Sequence, residues 1–308
     1  MSSTSPTSRR SVIRGAGAAL ALGAIARVTT APGVFAQGST PGASPDASPA
    51  ASPAAIVPVV SSIDELPLKN PGKLTVHTDE PVYEPWFVDD DPSNGKGFES
   101  AIVYAVAAAL GFTKEQVEWG RTSFNQSYAP GPKPFDFYLA EVSITEDRKK
   151  AVDFSDPYFA EQLVVVTKKG SPVLQARSLE DLRKFQFGTQ VGTTYLSYIM
   201  DKIKPEKDPL VFDTNADSLT ALENGTVDLG IQTLSIGIYN TTVQFQDMAL
   251  GGLLPGTQGD GMGFVFEKGN TLVPFVNKAL AEVIKTGTRD ALAAEWVPVP
   301  EGIFTYTE

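Results

Sequence analysis

No cysteine occurs among the 308 residues, which excludes a disulfide framework, a cysteine nucleophile and any thiolate-ligated metal site. A single histidine, His77, puts a His-rich zinc site out of reach and makes any Ser-His-Asp triad depend on one residue. Positive charge is scarce: 25 Lys and Arg stand against 36 Asp and Glu, a net charge of −11. Such a chain is a poor partner for nucleic acid, where lysine and arginine must neutralise phosphates. No uncharged apolar run reaches the ~20 residues that a membrane-spanning helix needs. What is abundant is core-forming material. The 42% hydrophobic content suffices for one or two packed domains.

The first 36 residues read as an address. Arg9, Arg10 and Arg14 precede an uncharged stretch from Gly15 to Ala26, and Val34-Phe35-Ala36 offers a cleavage site before Gln37. That order is the n-region, h-region and cut of an export signal. Adjacent arginines before a Gly- and Ala-rich h-region resemble a twin-arginine signal, with Val12 where phenylalanine is usual. Removing residues 1–36 takes away four arginines and no acid, so the net charge moves from −11 to −15. Three Ala-Ser-Pro repeats follow. Residues 37–70 are expected to be a disordered spacer, because such composition buries too little surface to offset chain entropy.

From Lys73 the texture changes. Strands are expected at Leu74–Thr78, Val117–Trp119, Phe135–Tyr138, Gln162–Thr167, Phe185–Gly188, Val227–Ile231 and Gly263–Phe266. Helices are expected at Ser100–Leu110, at Leu179–Leu182 with Ser178 as cap, and after Gly192-Thr193-Thr194. Three more are expected at Ser218–Glu223, Val273–Lys285 and Arg289–Trp296. Strands alternating with helices predict an α/β protein with largely parallel sheets, and the recurrence of the unit predicts two similar lobes. Asp89-Asp90-Asp91 has neither the Gly nor the Glu spacing of a calcium loop and reads as a charged hairpin tip. Gly259, Gly261 and Gly263 precede a strand instead of following one, so they do not make a nucleotide fingerprint. His77, inside the first strand, reads as structural.

The most specific run is Phe135–Tyr158, FDFYLAEVSITEDRKKAVDFSDPY, with Ser-Ile-Thr-x-x-Arg over 143–148 and Val-Asp-Phe-Ser-x-Pro-Tyr over 152–158. Together with Thr78-Asp79, Gly97-Phe98-Glu99, Gly192-Thr193-Thr194 and Gly225-Thr226-Val227-Asp228, it resembles the type 3 family of bacterial extracellular solute-binding proteins. Members of that family feed polar amino acids to ABC importers. The resemblance implies a two-lobe periplasmic-binding-protein fold of type II, with the ligand cleft between lobes. Lobe 1 would hold 71–160 and 263–300, lobe 2 would hold 161–262, and 301–308 would be a C-terminal tail. The hinges would fall near Phe159–Leu163 and Asp260–Phe264.

The resemblance also assigns roles. Arg148 would grip the ligand carboxylate, since a guanidinium fork matches a carboxylate with two parallel hydrogen bonds. Ser143 would add hydroxyl and backbone contacts, and Thr193 and Thr194 would hold the same carboxylate from lobe 2. Tyr83 and Phe124 would wall the side chain, while Trp86 reads as lobe core. Thr233 stands where the family usually carries the aspartate that pairs the ligand ammonium, and Glu141 stands where it usually carries glycine. Either Glu141 or Asp79 supplies the missing anion, or the ligand lacks an ammonium. The implied activity is non-enzymatic capture of an amino acid or related carboxylate, with no cofactor, no nucleic acid, an ABC permease as partner and a monomeric state. The alternative is a cyclohexadienyl dehydratase-like enzyme on the same fold.

Overall fold

The computed structural model describes residues 53–257, 259–298 and 301–308. The expected signal over 1–36 and the spacer over 37–52 lie outside the described residues. The first lobe opens with β1 (Leu74–Thr78), α1 (Phe98–Ala109), β2 (Val117–Arg121), α2 (Phe124–Ser127), β3 (Phe137–Tyr138), α3 (Glu146–Lys149) and β4 (Val152–Phe154). The chain then crosses into the second lobe. This lobe holds β5 (Leu163–Lys168), α4 (Leu179–Leu182), β6 (Phe187–Gln190), α5 (Thr194–Tyr198) and β7 (Leu210–Phe212). It continues with α6 (Asn215–Glu223), β8 (Leu229–Thr233), α7 (Leu234–Tyr239) and β9 (Met248–Leu253). A second crossing returns it to lobe 1 for β10 (Val265–Glu267), α8 (Val273–Lys285) and α9 (Thr288–Trp296).

Each lobe is built on a five-stranded sheet, in the order β2-β1-β3-β10-β4 and β7-β6-β8-β5-β9. The sheets are mixed, not largely parallel as expected. β1 runs parallel to β2 and β3, and β6 runs parallel to β7 and β8. β10 and β5 are antiparallel to both of their neighbours. The reason is the chain path: β5 and β10 are the strands that enter a lobe from the hinge, and they come in from the opposite end. β5 is apolar along its whole length because both faces are covered. Leu163 and Val165 enter one core cluster, Val164 and Val166 the other. On α8 the buried residues Val276, Ala279, Leu280 and Val283 fall at helical spacing and face α1. Strands expected at 185 and 227 begin two residues later, because the Asp228 carboxylate accepts the Gln186 N–H (2.8 Å) and both strands start beyond that pair. Asp89-Asp90-Asp91 is not a hairpin tip. Asp90 takes the N–H of Val82 (3.0 Å) and the guanidinium of Arg121 (2.9 Å), which folds the loop back onto β2.

Two expected borders change. Residues 53–70 are not a free spacer: Ile56, Val59, Val60, Ile63 and Leu68 pack on the lobe 1 core, and the Val59 N–H donates to the Ala109 carbonyl (2.7 Å). Apolar residues resume at Ile56 after the Ala-Ser-Pro repeats, and they are what this segment buries. Nor is 301–308 a tail. From Val297 in the lobe 1 core the chain reaches lobe 2, where Thr305 bridges Leu253 and Thr307 bridges Ser178. Tyr306, 2% exposed, sits in the lobe 2 core. Gly251 and Gly252 make room, since a Cβ there would meet the Tyr306 hydroxyl at 2.7 Å and the Phe304 ring at 2.5 Å. Replacing Tyr306 by alanine should cost roughly 3 kcal/mol or more of unfolding free energy in urea, and deleting 301–308 at least as much. An unchanged midpoint for either variant would show that this segment is not part of lobe 2.

Candidate functional site

Between the lobes lies a cavity walled by both. Lobe 1 contributes Asp79 and Tyr83 after β1, Phe124 on α2, Glu141 and Ser143 ahead of α3, and Arg148 on α3. Lobe 2 contributes Thr193 and Thr194 at the start of α5. Eight of the nine residues singled out from the sequence thus meet at one cavity. The ninth, Thr233, ends β8 just behind it and donates its hydroxyl to Glu141 Oε2 at 2.6 Å.

Arg148 is 7% exposed. Thr145 caps α3 by accepting the Arg148 N–H (3.2 Å), so the Ser-Ile-Thr-x-x-Arg motif is a helix start that carries its arginine on the first turn. The guanidinium lies 5.3 Å from the Phe124 ring centre and 4.6 Å from that of Tyr128. Nη1 donates to the Ser143 carbonyl (2.7 Å) and Nη2 to the Gly192 carbonyl across the cleft (3.0 Å). Burial lowers its pKa, and the phenols of Tyr128, Tyr195 and Tyr138 work against that shift. These partners are carbonyls and rings, and none is an anion. A desolvated cation held only by neutral groups still has its strongest interaction to make.

The lobe 2 residues divide their labour. The Thr193 hydroxyl is committed to its own helix: it accepts from Leu196 N–H (3.3 Å) and donates to the Gln190 carbonyl (2.8 Å). Thr194 lines the cavity. α5 runs directly into a π-helical turn over Ile199–Ile203, and its N-terminus carries the positive end of the helix dipole. Gly192, at φ +72°, lets Tyr128 and Asn125 approach to within 2.4 Å of where a Cβ would be. Tyr128 donates to the Gly192 carbonyl at 3.0 Å, which adds a second contact across the cleft at that residue.

Acids occupy the lobe 1 wall. Asp79 takes the N–H groups of Glu80 (2.9 Å) and Phe124 (3.1 Å), and burial pushes its carboxyl up to about 6. Glu99, fully buried on the first turn of α1, accepts the Glu141 N–H (2.7 Å) and the Tyr158 hydroxyl through Oε1, while Oε2 has no partner. Its carboxyl is raised to about 7 by burial. Glu161, in the first hinge, accepts from the N–H (3.1 Å) and hydroxyl (2.8 Å) of Ser235 and is also raised by burial to about 7. Glu141 is held well above the usual carboxyl range by burial and by Glu99 and Glu161 nearby. Trp86 is core, at 1% exposure, yet it also borders the cavity, and its indole N–H has no partner.

Sequence reasoning missed Glu99 as a site residue, along with Gln190, Tyr195, Asn215 and Gln232. A glutamate inside the apolar run of α1 was the one available signal. The lobe 2 polar residues carry none, because nothing in their spacing separates them from surface positions. His77 stays out of the cavity: Nδ1 meets the Thr122 hydroxyl at 2.8 Å, and the ring fills the space over Gly120.

The profile of "Bacterial extracellular solute-binding proteins, family 3" matches residues 74–299. The chain belongs to this family. Among relatives of this family 3 protein, the "Probable histidine-binding protein" of Neisseria gonorrhoeae is 27% identical over 237 residues, covering 75% of this chain and 85% of that one. The solved structure described as "An ancestral arginine-binding protein bound to arginine" is similar at a TM-score of 0.62 and 30% identity, covering 73% and 98%. Another, described as "the ancestral amino acid-binding protein AncCDT-1, a precursor of cyclohexadienyl dehydratase", reaches 0.62 at 28% identity, covering 73% and 95%. The two-lobe α/β fold is common to this chain and the two solved structures.

The raised acids fix a pH dependence. Native Asp79, Glu99, Glu141 and Glu161 keep protons that the unfolded chain releases at ordinary carboxyl pH. Stability therefore falls as pH rises from the ordinary carboxyl range towards about 7. His77, lowered by burial, opposes this as a single group. The melting temperature of the ligand-free protein should be higher at pH 5 than at pH 8, and Glu99→Gln should narrow the gap. A higher melting temperature at pH 8 would contradict the burial of these acids.

Proposed function

We propose that this protein is an extracytoplasmic receptor that captures an amino acid in the interlobe cavity and delivers it to the permease of an ABC transporter. One observation carries the ligand class. The cavity presents a buried guanidinium without an anion and buried carboxyls without a cation, all in one space and not paired with each other. A zwitterion satisfies both. Its carboxylate takes the Arg148 fork with Ser143 and Thr194 alongside, and Tyr83 and Phe124 wall the remainder. Among the described lining residues, Asp79, Glu99 and Glu141 outnumber the single cation Arg148, which favours an amino acid bearing an extra positive charge. The printed names of the histidine- and arginine-binding relatives support the same class. The twin-arginine-type signal read over 1–36 supports export, and the contacts that tie the lobes together around the cavity support release by reopening.

Isothermal titration with L-arginine, L-lysine, L-histidine, L-glutamine and L-glutamate tests this. The basic amino acids should bind one to one at micromolar or tighter Kd, ahead of glutamine, with glutamate weakest. Arg148→Ala should weaken the best ligand by about a hundredfold or more, and Arg148→Lys, which keeps the charge but loses the fork, by about tenfold. Binding of none of the five, or full affinity in Arg148→Ala, would defeat the assignment.

A second reading rests on the raised carboxyls of Glu99 and Glu141, which could serve as proton donors, and on the likeness to the dehydratase precursor. Turnover of prephenate or arogenate would decide for that enzyme.

A further inference from the structure

Glu141 occupies left-handed backbone, φ +53°, a conformation that is unfavourable for a residue with a side chain unless its surroundings hold it there. What holds it is Glu99. The Glu141 N–H donates to Glu99 Oε1, which the Tyr158 hydroxyl also engages, and Glu99 sits on the first turn of the twelve-residue helix α1, where an anion is favoured. So supported, the Glu141 side chain extends from lobe 1 towards lobe 2. There Thr233 donates to Oε2, which leaves Oε1 for a ligand in the cavity that Glu141 lines. Glu99 Oε2, fully buried and without a partner, belongs to a residue of the same wall.

Resting on the amino-acid reading above, we propose that Glu141 receives the ligand's α-ammonium, with Glu99 as the residue that positions it. Both ends of the zwitterion then dock on lobe 1, the carboxylate at Arg148 and the ammonium at Glu141. Thr233 contributes from lobe 2 by fixing the Glu141 carboxylate as the lobes meet. Glu141 must be ionised to accept an ammonium. The groups that face it are Glu99 from α1, Tyr158 and Glu161 from the hinge, Tyr195 from α5, Thr233 from β8 and Arg148 across the cavity. Amino-acid capture is therefore accompanied by proton release.

The test compares L-arginine with its desamino analogue, 5-guanidinopentanoate, by titration calorimetry. Wild-type protein should prefer L-arginine by about tenfold to a hundredfold, the range of one charge-assisted hydrogen bond. Glu141→Gln should erase that preference while changing the analogue's affinity by less than about threefold. Thr233→Val should weaken both ligands but preserve the preference. L-Arginine binding should release protons, seen as heats that vary with the buffer's ionisation enthalpy, and should weaken as pH falls. Glu99→Gln removes a negative neighbour of Glu141, so it should move that loss of affinity to lower pH, which a merely structural role would not do. Equal binding of both ligands by wild-type protein, or an intact preference in folded Glu141→Gln, would overturn the ammonium assignment and leave the receptor standing. Failure of wild-type protein to bind any amino acid would overturn the receptor reading itself.

Discussion

A guanidinium without a counter-ion organises the centre of this molecule. Taking a cation out of water costs several kcal/mol, and the protein offsets this only in part, with two carbonyls and two aromatic faces. Every neighbour that stabilises Arg148 also restricts it. Thr145 caps the helix beneath it, Ser143 anchors one nitrogen, and Gly192 anchors the other from the opposite lobe. The side chain is held in place by the protein's own groups, and the Ser143 and Thr145 contacts lie within lobe 1, so part of the entropy of fixing a long arginine is spent in folding.

Across the cleft, two of the residues that line the cavity, Arg148 and Glu141, also bond to the opposite lobe. Arg148 and Tyr128 reach the Gly192 carbonyl, and Glu141 meets Thr233. These are polar bonds, which exchange with water at small net cost, and beside them Ile236 of α7 packs on the lobe 1 core. The crossing strands are correspondingly spare. Met262 pairs with both Phe159 and Ser143, and Gly261, at φ +85°, sits where a Cβ would press on the Phe159 carbonyl at 2.8 Å. Within the glycine run 259–263, Gly261 therefore has a reason in backbone proximity at the hinge.

Much of the fold was readable because its signals were local. Ser178 with Asp181, the 3.6-residue spacing on α8 and the stop at Asn224-Gly225 each act within a few residues, and the structure has these elements where those residues stand. Strand direction was not readable. That β5 and β10 run against their neighbours is a property of the path through the hinge, not of the composition of either strand. At the site, Arg148 and Thr194 were legible through motif spacing, whereas Glu99 needed the tertiary contact with Glu141 to acquire meaning. Thr233 was noticed only as a departure, and its distance from Glu141 in sequence, 92 residues, hid the bond that explains it.

Among the described residues, Val297 belongs to the lobe 1 core and Thr305, Tyr306 and Thr307 to lobe 2, so neither lobe is a contiguous stretch of sequence. A fragment cut at the two hinges, 161–262, would leave β9 with an open edge where Thr305 pairs and a hole where the Tyr306 ring fits. Such a fragment would invite strand addition from other chains. Dissection or transplantation of lobe 2 would have to carry the distant C-terminal segment with it, as a peptide in trans or by permuting the chain.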